Sequence, residues 1–227
     1  SNTKAFSSGD LAQANVLVIA NALNPVNDDH WVLPTPSAFA PDEIAAVKAW
    51  VGGGGSLLLI ADHMPFAGAA LDLGEAFGFA FINGFALHSP NPLAIDFFSR
   101  ADRTLKDDAL TKGFAKIATF TGSAFAPATG ARTLFAFPKG YLVLLPAVAW
   151  KFDDQMRVQE GAGLSQGAVA TVGKGRVAVF GEAGMFTAQL ITDSGAVHTH
   201  MGFNAPEAPE NKAFILGVMH WLSGATK

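Results

Sequence analysis

The sequence contains no cysteine and is poor in charged side chains. Without cysteine, disulfides, thiolate metal sites and a cysteine nucleophile are all excluded. Charged residues make up 15% of the chain, against about 25% in an average soluble protein, which excludes a disordered tail or a coiled coil. Half of the 227 residues are apolar, and a chain of this length buries a sizeable core. We therefore expect a single folded domain over residues 1–227.

The sequence also lacks an excess of positive charge and a long apolar run. Its 15 Lys and Arg against 19 Asp and Glu give a net charge of −4, which argues against nucleic acid as a partner. The longest apolar stretch, Tyr141 to Trp150, is interrupted by Pro146 and is shorter than the roughly 18 residues of a membrane span. The N-terminus has no apolar signal-peptide core, which fits a cytoplasmic protein or an exported one whose signal peptide was removed.

Short apolar runs that end in polar residues predict strands of a parallel sheet. The first two runs are Asn15–Ala20 and Ser56–Ala61. A helix that begins at Pro41 and is stopped by Gly52–Gly55 joins them, and a further helix is predicted over Phe66–Phe77. Alternating strands and helices are typical of α/β proteins with helices on both faces of the sheet.

The second half of the chain is predicted to be richer in strands. Thr133–Phe137 and Tyr141–Leu145 have strand patterns, and Ala168–Val172 and Arg176–Phe180 predict a hairpin around a glycine-rich turn. After a loop that contains the histidines near residue 200, a last helix is predicted to end at Gly224.

Two glycine motifs are discounted. Gly52–Gly55 stands between a helix and a strand, the reverse of the order in a phosphate-binding loop, and we interpret it as a helix C-cap. Gly163-Leu164-Ser165-Gln166-Gly167 matches the G-x-S-x-G elbow of serine hydrolases, but it precedes a strand instead of following one. We interpret this match as chance and expect Ser165 to lie in a loop.

Polar residues follow three of the predicted strands, where ligands bind in an open parallel sheet. Asp62 and His63 follow the second strand, and Glu182 follows Arg176–Phe180. These three residues are the predicted catalytic set, in which His63 acts as a general base and the carboxylates orient it or hold a metal. In the structural alternative, Asp62 caps a helix, His63 bonds a backbone carbonyl and Glu182 accepts loop amides.

Further candidates would bind a ligand or a metal. Asn21 and Asn24 follow the first strand, and Trp31 and Phe66 lie in neighbouring loops where their rings would stack on a ligand. Two histidines in an extended loop, His198 and His200, would project to one side, a workable metal geometry if Asp62, His63 or Glu182 joins them. A divalent metal is therefore the one cofactor suggested, although surface histidines without a metal are commoner.

Four segments share the element order and glycine placement of one known group of proteins. They are ANVLVIANAL from Ala14, PDEIAAVKAWVGGGGSLLLIADHMPF from Pro41, GKGRVAVFGEAGMF from Gly173 and NKAFILGVMHWLSG from Asn211. Together they resemble the class I glutamine amidotransferase-like superfamily, in particular its uncharacterised bacterial members that lack the amidotransferase triad. DDALTKG, from Asp107, is also similar to an H-P-I-T-x-G region of several members. The resemblance covers about residues 15–224.

The resemblance implies a flavodoxin-like three-layer sandwich with a mostly parallel sheet, a β-rich insertion and a C-terminal hairpin. In amidotransferases the nucleophilic cysteine follows the strand that matches Leu57–Ala61, and a His-x-Glu pair follows the strand that matches Val177–Phe180. Here Asp62-His63 and Gly181-Glu182 stand in those places, so glutamine hydrolysis through a thioester is excluded.

The resemblance also implies an N-terminal strand and helix that this sequence does not contain. Members of the superfamily usually begin with a buried central strand and a helix, ahead of the edge strand that residues 3–6 match. Nothing in the sequence supplies them. We expect either that the natural protein has a further N-terminal segment or that a second molecule, as in a homo-oligomer, completes the sheet.

Three functions follow from these residues. The first is a hydrolase that acts on a small molecule with Asp62, His63 and Glu182. The alternative is a non-catalytic module that binds a carbohydrate or another small molecule through Asn21, Trp31 and Asp62. A third is a structural or interaction domain whose site has decayed.

Overall fold

The computed structural model describes residues 4–87, 94–193 and 196–225, with the backbone alone for residues 193 and 196–199. The helices within these residues are α1 (Ser8–Leu11), α2 (Pro41–Gly53), α3 (Phe66–Ala69), α4 (Leu71–Ala76) and α5 (Asn211–Leu222). The strands are β1 (Val16–Ala20), β2 (Ser56–Ile60), β3 (Ala80–Ile82), β4 (Phe85–Leu87), β5 (Asp96–Ser99), β6 (Lys116–Thr119), β7 (Ala124–Ala126), β8 (Arg132–Ala136), β9 (Leu142–Leu145), β10 (Arg157–Glu160), β11 (Ser165–Val172), β12 (Gly175–Phe180), β13 (Ala188–Asp193) and β14 (Ala196–Gly202). Two 3₁₀ turns span Pro25–Asn27 and Gly184–Phe186.

The largest sheet has seven strands in the order β1-β2-β12-β11-β7-β3, with β8 also paired to β11. β1, β2 and β12 are parallel, and their ends are level because Ala20 and Phe180 both pair with Ile60. The other pairs in this sheet are antiparallel. The residues that follow β1, β2 and β12 therefore emerge at one edge.

The predicted flavodoxin-like three-layer sandwich is wrong. The chain is strand-rich, with 31% strand and 22% helix, and folds as a curled, mixed half-barrel sheet with small antiparallel sheets. Those small sheets are β10-β9-β4, β13-β14 and β5-β6. Among the described helices, α2 and α5 have 13 and 12 residues, whereas the others have four to six. So few long helices cannot form two complete layers over the sheet.

Several local predictions hold within this different architecture. The two apolar runs form the parallel strands β1 and β2, and β11 and β12 form the predicted hairpin. The helix predicted over Phe66–Phe77 is instead two short helices that break at Ala70. The two glycine motifs have different outcomes. Gly54 caps α2 with a φ of 128°, as expected. Ser165 is not in a loop but is buried in β11, where its hydroxyl donates to the Phe135 carbonyl at 2.8 Å.

β2 fixes the position of the site because it is buried on both faces. Leu57 shares a core with Val51 of α2, whereas Leu58 shares the opposite core with Phe214 of α5. Burying one leucine side chain contributes about 1.5–3 kcal/mol. The strand is thus anchored from both sides, and so is Asp62 just beyond its end. In the described part of the chain, the helices are too short or too polar to span a membrane.

Candidate functional site

A cavity of about 730 Å³ opens at the level ends of the parallel strands. Its floor is formed by side chains of β1 and β2, namely Val18, Ala20, Leu58 and Ile60. Polar residues line it where the strands end, and side chains from the loops and from β13 and β14 form its walls. This is the edge of the sheet at which the sequence places the site.

One wall of the cavity is aromatic. The rings of Trp31 and Phe66 meet edge to face with centroids 5.1 Å apart, and the His63 ring meets that of Trp150 at 4.7 Å. Behind this wall, the imidazole of His63 stacks on Phe85. Trp150 remains 40% exposed. Rings packed this closely present a continuous apolar surface to the cavity.

The His63 imidazole is held by the backbone. Its Nδ1 lies 2.7 Å from the Met64 carbonyl oxygen, and because a carbonyl only accepts, Nδ1 carries the proton. In the neutral ring Nε2 is then an acceptor. Within the described residues no hydrogen bond reaches Nε2, and His63 is one of the residues that line the cavity.

Asp62 binds backbone amides and does not orient the His63 ring. Its Oδ1 accepts from the His63 N–H at 2.7 Å, and its Oδ2 accepts from the Ala183 N–H at 3.3 Å. The Asp62 N–H in turn donates to Oδ1 of Asn21 at 3.0 Å. Burial raises the pKa of Asp62, while the charge of His63, the N–H groups of His63 and Ala183, and the Asn21 side chain oppose that rise. Asp62 is one of the residues that line the cavity.

Glu182 is fully buried and does not line the cavity. Its carboxyl oxygens accept from the N–H groups of Gly184 and Met185, and the backbone of Phe120 also bonds it. Burial, and then the nearby charge of Asp62, raise the pKa of Glu182 well above its ordinary value. The structure therefore brings the two carboxyl groups together, with Glu182 behind the wall as the anchor of the turn at Gly184–Phe186.

Of the four predicted ligand-binding residues, three line the cavity and one does not. Asn21, Trp31 and Phe66 line the cavity. Asn24 lies outside it, where its side chain accepts from the Val26 N–H and donates to the Ser37 carbonyl. Asn24 is thereby the N-cap of the 3₁₀ turn that follows β1.

The predicted metal ligands lie in a strand and not in a loop, because β13 and β14 pair as a hairpin. The side chain of His198 lies outside the described part of the structure. His200 is exposed and pairs with Leu190, while its neighbour Met201 lines the cavity. Among the described side chains, no group of three or more His, Asp or Glu is close enough to hold a metal ion.

Sequence reasoning missed Trp150 and Thr121, which both line the cavity. A single bridge between Val32 and Val148 brings the loop of Trp31 beside that of Trp150, and no local pattern indicates such a contact. The aromatic residue at the end of the apolar stretch Tyr141 to Trp150 was the one available signal.

The backbone is strained around this cavity. The described chain has four non-glycine residues with positive φ, and three of them line the cavity: Asn21 at 51°, Thr121 at 86° and Trp150 at 66°. A β-branched or bulky residue in this region of φ is a true outlier. Such strain is concentrated at functional sites, where the surrounding structure enforces it.

Comparisons with known proteins give the fold and no more. No protein-family model and no curated protein matches the sequence. The solved N-terminal domain of mmIFT52 is similar in structure, with a TM-score of 0.61, 15% identity, and coverage of 96% of this chain and 80% of that one. The cytoplasmic protein STM1381 from Salmonella typhimurium LT2 has a TM-score of 0.55 and 14% identity, over 95% of this chain and 75% of its own. Neither name supports an amidotransferase-like assignment.

Proposed function

We propose that this domain binds a small neutral molecule of the carbohydrate class in the cavity at the strand ends. The observation that carries the proposal is the strain there: three of the four described non-glycine residues with positive φ line this one cavity. Each such residue costs about 1–3 kcal/mol. One of them, Trp150, keeps its indole at the cavity wall with 40% of its surface exposed.

The cavity has the size and lining of a small-molecule site. Its volume of about 730 Å³ falls in the range of about 300–1,000 Å³ that is usual for such sites. Its aromatic wall offers a flat apolar surface, and a few polar groups stand at the strand ends. This combination suits a ligand with an apolar face and a polar edge, such as a pyranose ring.

The polar groups favour a ligand that donates hydrogen bonds. Nε2 of His63 and the carboxyl group of Asp62 are acceptors, and none of the described residues that line the cavity is Lys or Arg. An anionic ligand would therefore meet no positive side chain and would lie near a carboxylate. The hydroxyl groups of a sugar match these acceptors without a charge.

Calorimetric titration with a panel of methyl pyranosides tests this proposal. We expect at least one to bind, and Trp150→Ala to abolish that binding. Phe203→Ala is the matched control, because Phe203 is also 40% exposed and does not line the cavity. The absence of binding by every member, or equal affinity in the Trp150→Ala variant, would contradict the proposal.

Hydrolysis is a second candidate, favoured by the unbonded Nε2 of His63 at the cavity wall. A neutral imidazole of this kind can take a proton from a water molecule that attacks a bound substrate. The Met64 carbonyl orients the ring, and neither carboxylate takes that role. Incubation with the bound pyranoside linked to a chromogenic leaving group tests this. We expect turnover in the wild type and none in His63→Gln; a wild type that binds without turnover would contradict it.

A further inference from the structure

A second cavity, of about 470 Å³, lies between α5 and the segment that precedes β6. It shares no lining residue with the cavity at the strand ends. The side chains of Leu110, Phe114 and Trp221 make it partly apolar, and its charged side chains are Lys112 and Arg132. None of the described residues that line it is Asp or Glu. This second cavity therefore combines the volume of a small-molecule site, about 300–1,000 Å³, with positive charge alone.

Arg132 is oriented at the wall of the second cavity by two contacts. Its Nη1 donates to Oδ2 of Asp108 at 2.6 Å, and its Cζ lies 5.6 Å from the centroid of the Trp221 ring. The Asp108 side chain is only 6% exposed, whereas that of Arg132 is 45% exposed. The carboxylate therefore holds the guanidinium from the protein side. A side chain that is already ordered loses less conformational entropy when it binds a ligand.

Most of the hydrogen-bonding capacity of Arg132 remains available. A guanidinium has five N–H donors, and in the described part of the chain this group makes one hydrogen bond, to Asp108. Asp108 itself has both carboxyl oxygens engaged, since its Oδ1 accepts from the Leu110 N–H at 2.9 Å. The planar fork of the remaining N–H groups matches the two oxygen atoms of a carboxylate.

Two further cations lie around the same cavity. Lys112 is exposed and forms no ion pair with any of the described residues. Arg176 lies over the Trp221 ring, 5.4 Å from its centroid, and donates to the Trp221 carbonyl. An anion in the cavity is therefore attracted by Lys112 and Arg132 together, beside an aromatic ring whose position Arg176 helps to fix.

We propose that the second cavity binds a small organic acid, in which a carboxylate is attached to an apolar, aromatic body. The carboxylate binds the guanidinium of Arg132 and the ammonium of Lys112, and the body packs against Phe114 and Trp221. Charge selects against a neutral molecule, and the apolar side chains select against a bare inorganic anion. A long polyanion is disfavoured by the net charge of −4. The two cavities thus take ligands of different charge, since none of the described residues that line the cavity at the strand ends is Lys or Arg.

Calorimetric titration of the full chain with benzoate tests this assignment, with benzamide as the neutral analogue and inorganic phosphate as the anion without an apolar body. We expect benzoate to bind about tenfold more tightly than benzamide, because hydrogen bonds to charged groups are the stronger kind. Phosphate is expected to bind more weakly than benzoate. The affinity for benzoate is expected to fall as the ionic strength rises toward about 1 M, where charges are screened within about 3 Å.

Two variants test the cations without emptying the core. Lys112→Met removes an exposed charge and is expected to weaken benzoate binding about threefold, a typical effect for an exposed ion pair. Lys106→Met is the matched control, because Lys106 is also exposed and does not line this cavity, and it is expected to keep the wild-type affinity. Arg132→Lys keeps a positive charge beside Asp108 but loses the planar fork, and it is expected to weaken benzoate binding about tenfold.

Backbone amide NMR shifts locate the bound benzoate. We expect the amides of Leu110 and Gly217, which line the second cavity, to shift on titration. Shifts confined to Asn21 and its neighbours would place benzoate in the cavity at the strand ends and overturn the proposal. Pyranosides play no part in these measurements, so this proposal and the proposed function fail independently of each other.

The calorimetric results can overturn the proposal in several other ways. The absence of benzoate binding, or equal affinities for benzoate and benzamide, would show that the cations do not bind a carboxylate. Phosphate bound as tightly as benzoate would remove the role of the apolar body. An affinity for benzoate that is unchanged in both Lys112→Met and Arg132→Lys, or equally reduced in Lys112→Met and Lys106→Met, would show that the cavity is not the site.

Discussion

The imidazole of His63 lies flat against the ring of Phe85, with centroids 4.5 Å apart and planes inclined by 10°. Phe85 is fully buried, and its ring also meets those of Trp150 and Phe152. The base candidate of the site is therefore supported by the core beneath the cavity wall, while the Met64 carbonyl fixes its tautomer. Two independent contacts thus define where Nε2 points.

Phe85→Ala is expected to destabilise the fold by roughly 3–5 kcal/mol, the usual cost of emptying a buried phenylalanine site. The same change removes the surface on which His63 and Trp150 rest, so pyranoside affinity is expected to fall as well. Urea unfolding measures the first effect and calorimetry the second. Phe203→Ala is the control and is expected to stay within about 0.5 kcal/mol of the wild type. A small loss of stability in Phe85→Ala would show that the ring is not the support described above.

Asn27 positions the loop that carries Trp31. It is fully buried, and its Nδ2 donates to the carbonyls of His30 at 2.9 Å and Val32 at 3.0 Å. Asn27→Ala would leave these carbonyls without that donor, at a cost of about 1–3 kcal/mol for each buried group. Asn27→Asp has the same shape but turns a carboxylate toward carbonyl oxygens, so it is expected to destabilise more. Thermal unfolding ranks the two variants; equal stability of Asn27→Asp and the wild type would contradict this role.

The sequence predicts those parts of the fold that depend on residues adjacent to one another along the chain. The apolar runs of β1 and β2, the caps of α2 and the hairpin of β11 and β12 each depend on a few adjacent positions. The convergence of the polar residues follows as well, because residues at the ends of level parallel strands must share one edge. Asn21, Asp62 and His63 meet there as expected.

The rest depends on pairing between distant segments. The strands between residues 80 and 136 are three to five residues long and pair antiparallel in several small groups, which a pattern of short apolar pieces does not specify. Trp150 reaches the cavity through a bridge to the loop near Trp31. The role of Glu182 was also open, because a buried carboxylate at a strand end serves equally well as a catalyst or as an anchor for loop amides.

Ser165→Ala tests whether the serine of the G-x-S-x-G match takes part in turnover or only stabilises the fold. The Ser165 hydroxyl is fully buried and lies 2.8 and 2.9 Å from the carbonyl oxygens of Phe135 and Gly167, which share its single proton. Its removal is expected to cost about 1 kcal/mol of stability and to leave binding and any turnover unchanged. Urea unfolding and the pyranoside assays check both statements. Loss of turnover with a stable fold would identify Ser165 as a nucleophile and contradict the interpretation of the motif as chance.

The pair of carboxyl groups predicts how stability depends on pH. Burial and the charge of Asp62 raise the pKa of Glu182 in the folded state from its ordinary value of 4.5, so the folded protein holds this proton more tightly than the unfolded chain. The stabilisation is complete below the ordinary value and is lost as the pH rises through the raised pKa, because ionisation then costs more in the folded state.

Asp62→Asn tests this directly. The variant keeps one acceptor oxygen for backbone amides and removes the charge that raises the pKa of Glu182. We expect the free energy of unfolding to fall less steeply with rising pH in Asp62→Asn than in the wild type, measured by urea titration at a series of pH values. The difference between the two curves contains the titration of Asp62 itself, whose pKa burial also raises, together with the effect of its charge on Glu182. Parallel curves above pH 4.5, or a steeper fall in the variant, would show that the two carboxyl groups do not interact in the folded protein.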